Sequence, residues 1–290
     1  MLRSPTPATE AAATATLPAV AVLMAVHANA DPAHLDEALA SMRAQTYRNL
    51  RLFLYVDGPW HETHEVVLTK HVRNEKGFDC IVRGEGPVGL PAGLNRLIDL
   101  AIQDPRIDYM ARMDADDISV PERIACQVAF LREHPDVAIV GTWCIEFSQP
   151  GVPLFHKRLP SDISEIRRFM LYRSPLAHPT VMFRREVFES GQRYSPTMKI
   201  MQDYELWTRL LAAGFIISNV PQYLLWFRMA DGFYERRAGI HRAWGEVKLR
   251  WHYARSAGLL RPIQMLGFLG LFLVRMSPLT LKRLAYKHLR

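Results

Sequence analysis

Four stretches of this chain carry side chains whose types and spacing suit chemistry. The first is Met113-Asp114-Ala115-Asp116-Asp117. In an extended segment side chains alternate, so Asp114 and Asp116 face one way and Ala115 faces the body of the protein. Two carboxylates on one side form a hard-oxygen site suited to Mg²⁺ or Mn²⁺, ions that commonly share their coordination with phosphate oxygens. The same letters also describe an acidic loop before a helix, with Asp117 or Ser119 as the N-cap ahead of Pro121. The second stretch is Tyr55-Val56-Asp57-Gly58-Pro59. Asp57 has the acceptors for a nucleobase N–H, although Asp-Gly-Pro is equally a turn sequence. The third is His27, an imidazole able to stack on a base or to sit as an ordinary half-core residue. The fourth is Met201-Gln202-Asp203-Tyr204-Glu205-Leu206-Trp207. There Leu206, Trp207 and Leu210 share the core face of a helix and Asp203 falls in its first turn. The helix dipole favours a carboxylate at that position, which suits a general base and equally an acid that merely starts the helix.

The segments around these residues alternate in period. Strand-like runs at Ala19 to Val26, Leu50 to Val56, Asp79 to Arg83, Ile107 to Met113 and Val137 to Phe147 alternate with helix-like runs. The helices are expected at Pro32 to Gln45, His61 to Arg73, Pro91 to Gln103 and Pro121 to His134. This pattern predicts an α/β fold, a mostly parallel, Rossmann-like central sheet flanked by helices on both faces. His27, Asp57 and Asp114 then fall at carboxyl ends of strands, where such sheets bind ligands. The loop Gly84 to Gly93 carries four glycines and leads into a helix, so its backbone N–H groups are available to a phosphate, but it matches neither the Walker nor the dinucleotide fingerprint.

Composition narrows the classes. The 290 residues are 49% hydrophobic and 22% charged, the balance of a globular protein, with 16 Gly and 19 Pro. Collagen-like and wholly disordered chains are excluded. Three cysteines, Cys80, Cys126 and Cys144, lie far apart with no C-x-x-C pair, which fits a reducing compartment. The net charge of +7 is uneven: residues 223–290 hold 13 Lys or Arg against three acids, leaving the rest slightly acidic. Three units follow: a disordered leader over 1–17, the α/β domain over 18–232, and a helical, basic extension over 233–290. The leader imitates a secretory signal, but Glu10 interrupts its basic region and cleavage near Ala30 would remove the first strand. In the extension, cations and tryptophans precede an apolar run from Ile263 to Val274, too short to span a bilayer. It fits either an interfacial segment on anionic lipid or a cap packed on the domain. No nucleic-acid module is recognisable, so no nucleic-acid partner is expected.

In their order along the chain, six pieces resemble the family 2 glycosyltransferases, inverting enzymes of the GT-A fold, in particular those of bacterial surface-polysaccharide synthesis. They are Val22 to His27; Gln45-Thr46-Tyr47 with the strand ending in Asp57-Gly58; Gly89 to Asn95; Ala111 to Ser119; His178-Pro179-Thr180-Val181-Met182; and Gln202 to Trp207. The resemblance spans about residues 19 to 230. It implies a nucleotide-sugar donor, with UDP the commonest nucleotide, held through Asp57 and His27 at the base, Asp114 near ribose or phosphate, and Asp116 as main ligand of Mn²⁺ or Mg²⁺. It implies Asp203 as the base on the acceptor hydroxyl, with His178, Gln202 and Trp207 on the acceptor side. The acceptor would be a glycan or lipid-linked sugar, and the place cytoplasmic, at the inner face of the plasma membrane. The chain departs from the family at His27, where an aromatic such as tyrosine is usual, at Val56, often a second Asp, and at Gln202, usually Glu. Two other readings fit part of the pattern: a catalytically inactive membrane-associated assembly protein of the same fold, and a D-x-D phosphotransferase with an aspartyl nucleophile.

Overall fold

The computed structural model describes residues 17–71, 80–198, 200–229 and 240–277. The expected leader, apart from residue 17, and the cations of 278–290 lie outside the described residues. In chain order the elements are β1 (Ala19–His27), α1 (Pro32–Arg43), β2 (Leu50–Asp57), α2 (Glu62–His71), β3 (Cys80–Arg83) and α3 (Leu90–Gln103). Next come β4 (Ile107–Arg112), β5 (Ile118–Ser119), α4 (Arg123–Glu133), β6 (Val137–Gln149), β7 (Val152–Lys157) and α5 (Ile163–Phe169). A 3₁₀ turn (His178–Thr180) precedes β8 (Met182–Arg184) and α6 (Arg185–Glu189), then α7 (Gln202–Ala212), β9 (Ile216–Arg228), α8 (Ile240–Ser256) and α9 (Pro262–Met276).

The strands form one sheet in the order β3-β2-β1-β4-β8-β6-β9-β5, with β7 paired to β6. Strand β1 is apolar on both faces because it is central: Ala21 and Leu23 enter one core layer, Val20, Val22, Met24 and Val26 the other. Helices α3 and α7 cover the first layer through Leu94, Leu97, Ile98, Leu206 and Leu210. Helices α1 and α4 cover the second through Leu35, Leu39, Ile124 and Val128. The expected α/β fold with a mostly parallel central sheet holds, and the structure adds its antiparallel pairs. The pairs β3-β2, β2-β1, β1-β4 and β6-β9 are parallel, whereas β4-β8, β6-β8, β6-β7 and β5-β9 are antiparallel. The parallel half is where crossover helices supply long connections; β8 enters against β4 after a 3₁₀ turn instead.

Local chemistry starts and stops these elements. Asp31 accepts a hydrogen bond from the Ala33 N–H (2.8 Å) and Pro32 opens α1. Helix α4 departs from expectation: it begins at Arg123 with Glu122 before it and no side-chain cap, so neither Asp117 nor Ser119 caps it. Helix α3 lies close on β2 because Gly93 faces the Tyr55 ring.

Helices α8 and α9 cap the sheet's first layer. Glu246, buried, pairs with Arg275 (3.0 Å) and Arg242 (3.5 Å), tying the two helices together. The Arg250 guanidinium lies 5.0 Å from the centre of the Tyr204 ring of α7, and the Tyr253 hydroxyl donates to the Arg167 carbonyl (3.0 Å). Among the described residues no helix is long and apolar enough to cross a membrane.

A Cβ built on Gly93 would stand 2.6 Å from Tyr55 Cδ1, and one built on Gly84 would meet the Tyr55 hydroxyl. Gly93→Ala therefore lowers stability by roughly 1–2 kcal/mol, because overpacking of ~1–3 kcal/mol outweighs the helix propensity gained. Urea unfolding monitored by circular dichroism measures it; a variant more stable than the parent would overturn the close packing of α3 on β2.

Candidate active site

The carboxyl ends of β1, β2 and β4 lie side by side, since His27 is in register with Asp57 and Leu23 with Arg112. His27 is exposed at this edge, not buried as a half-core residue, because β1 runs out past its covering layers there; its Nδ1 accepts from the Asn29 N–H (3.1 Å). Asp57 is already engaged. Its two oxygens accept from the backbone N–H groups of Val88 (2.7 Å) and Gly89 (2.9 Å). Those are the glycine-rich loop's N–H groups that the sequence offered to a phosphate, and here they clasp the end of β2. Each Asp57 oxygen keeps a further acceptor position. Beside the loop opens a cleft of about 490 Å³ lined by Arg83, Glu85, Gly86, Pro87, Val88 and Arg96.

After β4 the chain does not stay extended. Residues 115–116 form a turn, with Ala115 packed on the core and Asp114, Asp116 and Asp117 brought together so that one oxygen of each lies within 4.8 Å of the others. Two causes shape this turn. Arg228, at the end of β9, donates its N–H to Asp117 Oδ1 (2.8 Å) and its Nε–H to the Asp116 carbonyl (2.7 Å), while pairing with Glu37 of α1. From beneath, the buried Arg112 approaches Asp114 Oδ1 at 2.5 Å. Asp117 is 1% exposed, and its Oδ2 has no hydrogen-bond partner among the described residues.

The electrostatics follow from this crowding. Burial, and then repulsion from Asp114, raise the Asp116 carboxyl above the usual range. Burial, followed by Asp114 and Asp116, raises Asp117 much further. Arg123, buried behind them, is lowered to about 9 by desolvation. A set of three oxygen donors, one of them a buried orphan, is a fit for a hard divalent cation. Asp117 as a member of that set was missed from the sequence, although its carboxylate stood in plain view beside Asp116.

Asp203 lies half-buried in the first turn of α7 and does not cap it. The cap position is Met201, at φ 56° and ψ 28°, the one non-glycine residue with positive φ among those described. Gln202, half-buried, is the helix's first residue. Tyr194, a buried residue that the sequence gave no reason to select, feels both the acidic turn and the α7 carboxylate. Asn95 of α3 holds its backbone from both sides, accepting from the Tyr194 N–H (2.9 Å) and donating to its carbonyl (2.8 Å). The Tyr194 hydroxyl sits 2.9 Å from His178 Nε2, and its pKa is raised by burial; Arg112 works against that rise, while Asp203 and Asp114 add to it. The acidic turn and the α7 carboxylate thus both lie within electrostatic reach of one phenol. His178 is kept neutral by desolvation and by the Arg112 charge. Trp207 is 0% exposed, packed at the His178 and Phe183 rings, so the expectation of Trp207 beside an acceptor is corrected: it backs the site from the core.

Residues 22–191 match the family model described as Glycosyl transferase family 2. The chain is 28% identical over 268 residues to "Amylovoran biosynthesis glycosyltransferase AmsE" of Erwinia amylovora, covering 92% of this chain and 97% of that one. It is 30% identical over 277 residues to "UDP-Gal:alpha-D-GlcNAc-diphosphoundecaprenol beta-1,3-galactosyltransferase" of Escherichia coli, covering 93% and 96%. In fold it is similar to the mannosyltransferase PcManGT of Pyrobaculum calidifontis, solved with GDP-Man and Mn²⁺, with a TM-score of 0.58 at 16% identity over 88% of this chain and 68% of that one. With more than half its length matched and near-complete alignment to curated relatives, the chain belongs to glycosyl transferase family 2 and has the GT-A fold.

Proposed function

We propose that the protein is an inverting hexosyltransferase that moves a sugar from a UDP-sugar to a hydroxyl of a glycan or lipid-linked acceptor during cell-surface polysaccharide synthesis. The observation that supports this reading is the gathering of Asp114, Asp116 and Asp117 at the end of β4, with Asp114 and Asp203 both within electrostatic reach of the buried Tyr194. The named activity of the Escherichia coli relative, on a diphosphoundecaprenol acceptor, supports the lipid-linked class. The metal of the archaeal mannosyltransferase complex supports Mn²⁺ or Mg²⁺ as cofactor.

A sugar hydroxyl is a poor nucleophile at neutral pH, and a nucleoside diphosphate leaves slowly until its growing charge is met. A divalent ion held by Asp116, with Asp114 and Asp117, would supply Lewis-acid neutralisation of the diphosphate when bound. Asp114 holds its orientation through Arg112, and Asp117 through the Arg228 N–H. Asp57 and His27, at the ends of β2 and β1, flank the base of the donor. Asp203 accepts the acceptor's hydroxyl proton as the new bond to the anomeric carbon forms and the bond to the diphosphate oxygen breaks on the opposite side. No covalent sugar–enzyme step is needed, so the anomeric carbon inverts. His178 and Gln202 border the acceptor's approach, and His178, held neutral, has lone-pair and N–H chemistry but no charge to offer.

Two outcomes test this. Asp203→Asn keeps UDP-sugar affinity within about two-fold and lowers the transfer rate by about 10²–10⁴, the usual worth of a general base. Equilibrium binding and product formation across a panel of UDP-sugars and acceptors read the two apart; normal transfer by that variant rejects the base.

The second outcome concerns the metal. Asp116 and Asp117 have raised folded-state values, so their contribution to stability is complete below the unfolded value of 3.8 and is lost as pH rises through the raised ones. In the metal-free protein this contribution therefore fades from acid toward neutral pH. His178, held low, works in the opposite sense up to its unfolded value of 6.5, and Mn²⁺ offsets the loss where the carboxylates are ionised. Thermal melts with Mn²⁺ at about 100 times its Kd gain about 2.7 kcal/mol at neutral pH, fading on acidification. Asp117→Asn raises the metal-free melting temperature and removes most of the Mn²⁺ gain. A Mn²⁺ effect unchanged by Asp117→Asn would remove that residue from the cation's ligands.

A further inference from the structure

Helices α8 and α9 have two faces of opposite character. The inner face packs: Phe268 is buried against the Tyr172 ring, Glu246 gathers Arg242 and Arg275, and Arg250 covers Tyr204. The outer face of α9 is apolar throughout. Leu266 is 65% and Leu273 59% exposed, and Ile263, Met265, Leu269 and Met276 are exposed around them on the same side of the helix. Such a patch on a water-facing helix marks a site of association.

The neighbouring stripe on α8 says what the associate is. Ile240, Trp244, Lys248, Trp251 and Arg255 follow one another at helical spacing and are all exposed, Trp244 at 58%, with the Trp244 ring edge-on to Phe272 of α9 at 6.3 Å. Arg261 is exposed where α9 begins. The single acid in residues 240–277 is Glu246, and it is buried and paired inward. The outer surface thus combines unscreened cations, two tryptophans and a continuous apolar helix face. That combination is the chemistry of a bilayer interface, in which apolar side chains enter the acyl boundary, indoles sit at headgroup level and cations meet anionic lipid. A protein partner of acidic character would use the cations but not the length of bare α9.

We propose that the outer face of α8 and α9 docks on an anionic phospholipid surface, lying in the interface with α9 parallel to the membrane plane. The face stands apart from the transfer reading; its consequence rests on that reading. Because Arg250 of the same helix pair covers Tyr204, the residue after Asp203, docking holds the base at a fixed height above the surface that would carry a lipid-linked acceptor.

Flotation of the full chain with phosphatidylcholine vesicles, with and without phosphatidylglycerol, tests the docking. Wild type is expected to float with the anionic vesicles and to be released by salt. The Leu266→Asp/Leu273→Asp double variant binds about a hundred-fold more weakly or worse, and Lys248→Gln/Arg255→Gln about an order of magnitude more weakly. All four side chains are exposed, so both variants keep the wild-type melt, which separates lost docking from lost folding. Equal binding to neutral and anionic vesicles, or unchanged flotation of both variants, overturns the proposal. So does a dimer in light scattering that Leu266→Asp/Leu273→Asp dissolves while wild type ignores vesicles, since the face would then belong to a second copy. Asp203→Asn floats like wild type, so a failed transfer reading leaves the docking result standing, and transfer to a soluble acceptor without flotation sinks the docking alone.

Discussion

Two arginines buried behind three crowded aspartates set the terms for the rest of this fold. Desolvating a guanidinium is costly unless opposite charge stands close, and crowding carboxylates is costly unless positive charge stands behind them. Arg112 and Arg123 answer both demands at once. Arg123 donates to the carbonyls of Arg112 (3.2 Å) and Pro179 (2.8 Å), so it pins the end of β4 to the 3₁₀ turn that carries His178. The Arg112 guanidinium makes its ion contact with Asp114 and no other side-chain hydrogen bond among the described residues. Its charge is therefore spent on the field of the site, felt by Asp116, Asp117, His178 and Tyr194. Crowding raises the carboxyls of Asp116 and Asp117, and a bound cation would relieve the repulsion that raises them.

The long-range ties explain why the sheet changes direction beyond β4. A purely parallel sheet would leave the acidic turn facing solvent at its outer side. Here β5, only two residues long, pairs antiparallel with the far end of β9, and that pairing delivers Arg228 onto the backbone of Asp116 and Asp117. Strand β8 returns antiparallel to β4, and its preceding turn sets His178 against Tyr194. These two antiparallel pairings set Arg228 on the acidic turn and His178 against Tyr194.

Much of this was legible in the sequence, for reasons that particular residues make plain. Strand β1 reads as an unbroken apolar run because both its faces are covered, and α3 shows its buried side at Leu94, Leu97, Ile98 and Ala101. Asp57, Asp116 and Asp203 could be singled out because strand ends and helix first turns are local features, and those are the places the structure gives them. The misses are non-local. Tyr194 sits between elements with no period, and Asn95, 99 positions earlier, holds its backbone. Arg228 acts on Asp117 across 111 positions. Strands β7 and β8 are short or at the edge of the sheet, without a pattern of their own. The D-x-D segment misled because alternation assumes an extended chain, whereas the turn at 115–116 allows Asp117 to join its neighbours.

The left-handed Met201 links the site to the C-terminal cap. A non-glycine residue in that conformation costs of order 1–3 kcal/mol and persists only where packing overrules it. The packing is at hand: Tyr204, buried one turn on, donates to the Met170 carbonyl (2.5 Å) and lies under Arg250, while Leu206, Trp207 and Leu210 fill the first core layer. These contacts fix the direction of α7 before its first turn is reached, and Met201 absorbs the mismatch with the incoming chain. Asp203 is thereby held within electrostatic reach of Tyr194, on a helix that Arg250 of α8 covers at Tyr204. The basic, apolar C-terminal helices thus brace α7 on their inner face, whatever their outer face meets, and shifting them would be felt first at Tyr204, next to Asp203, the proposed base.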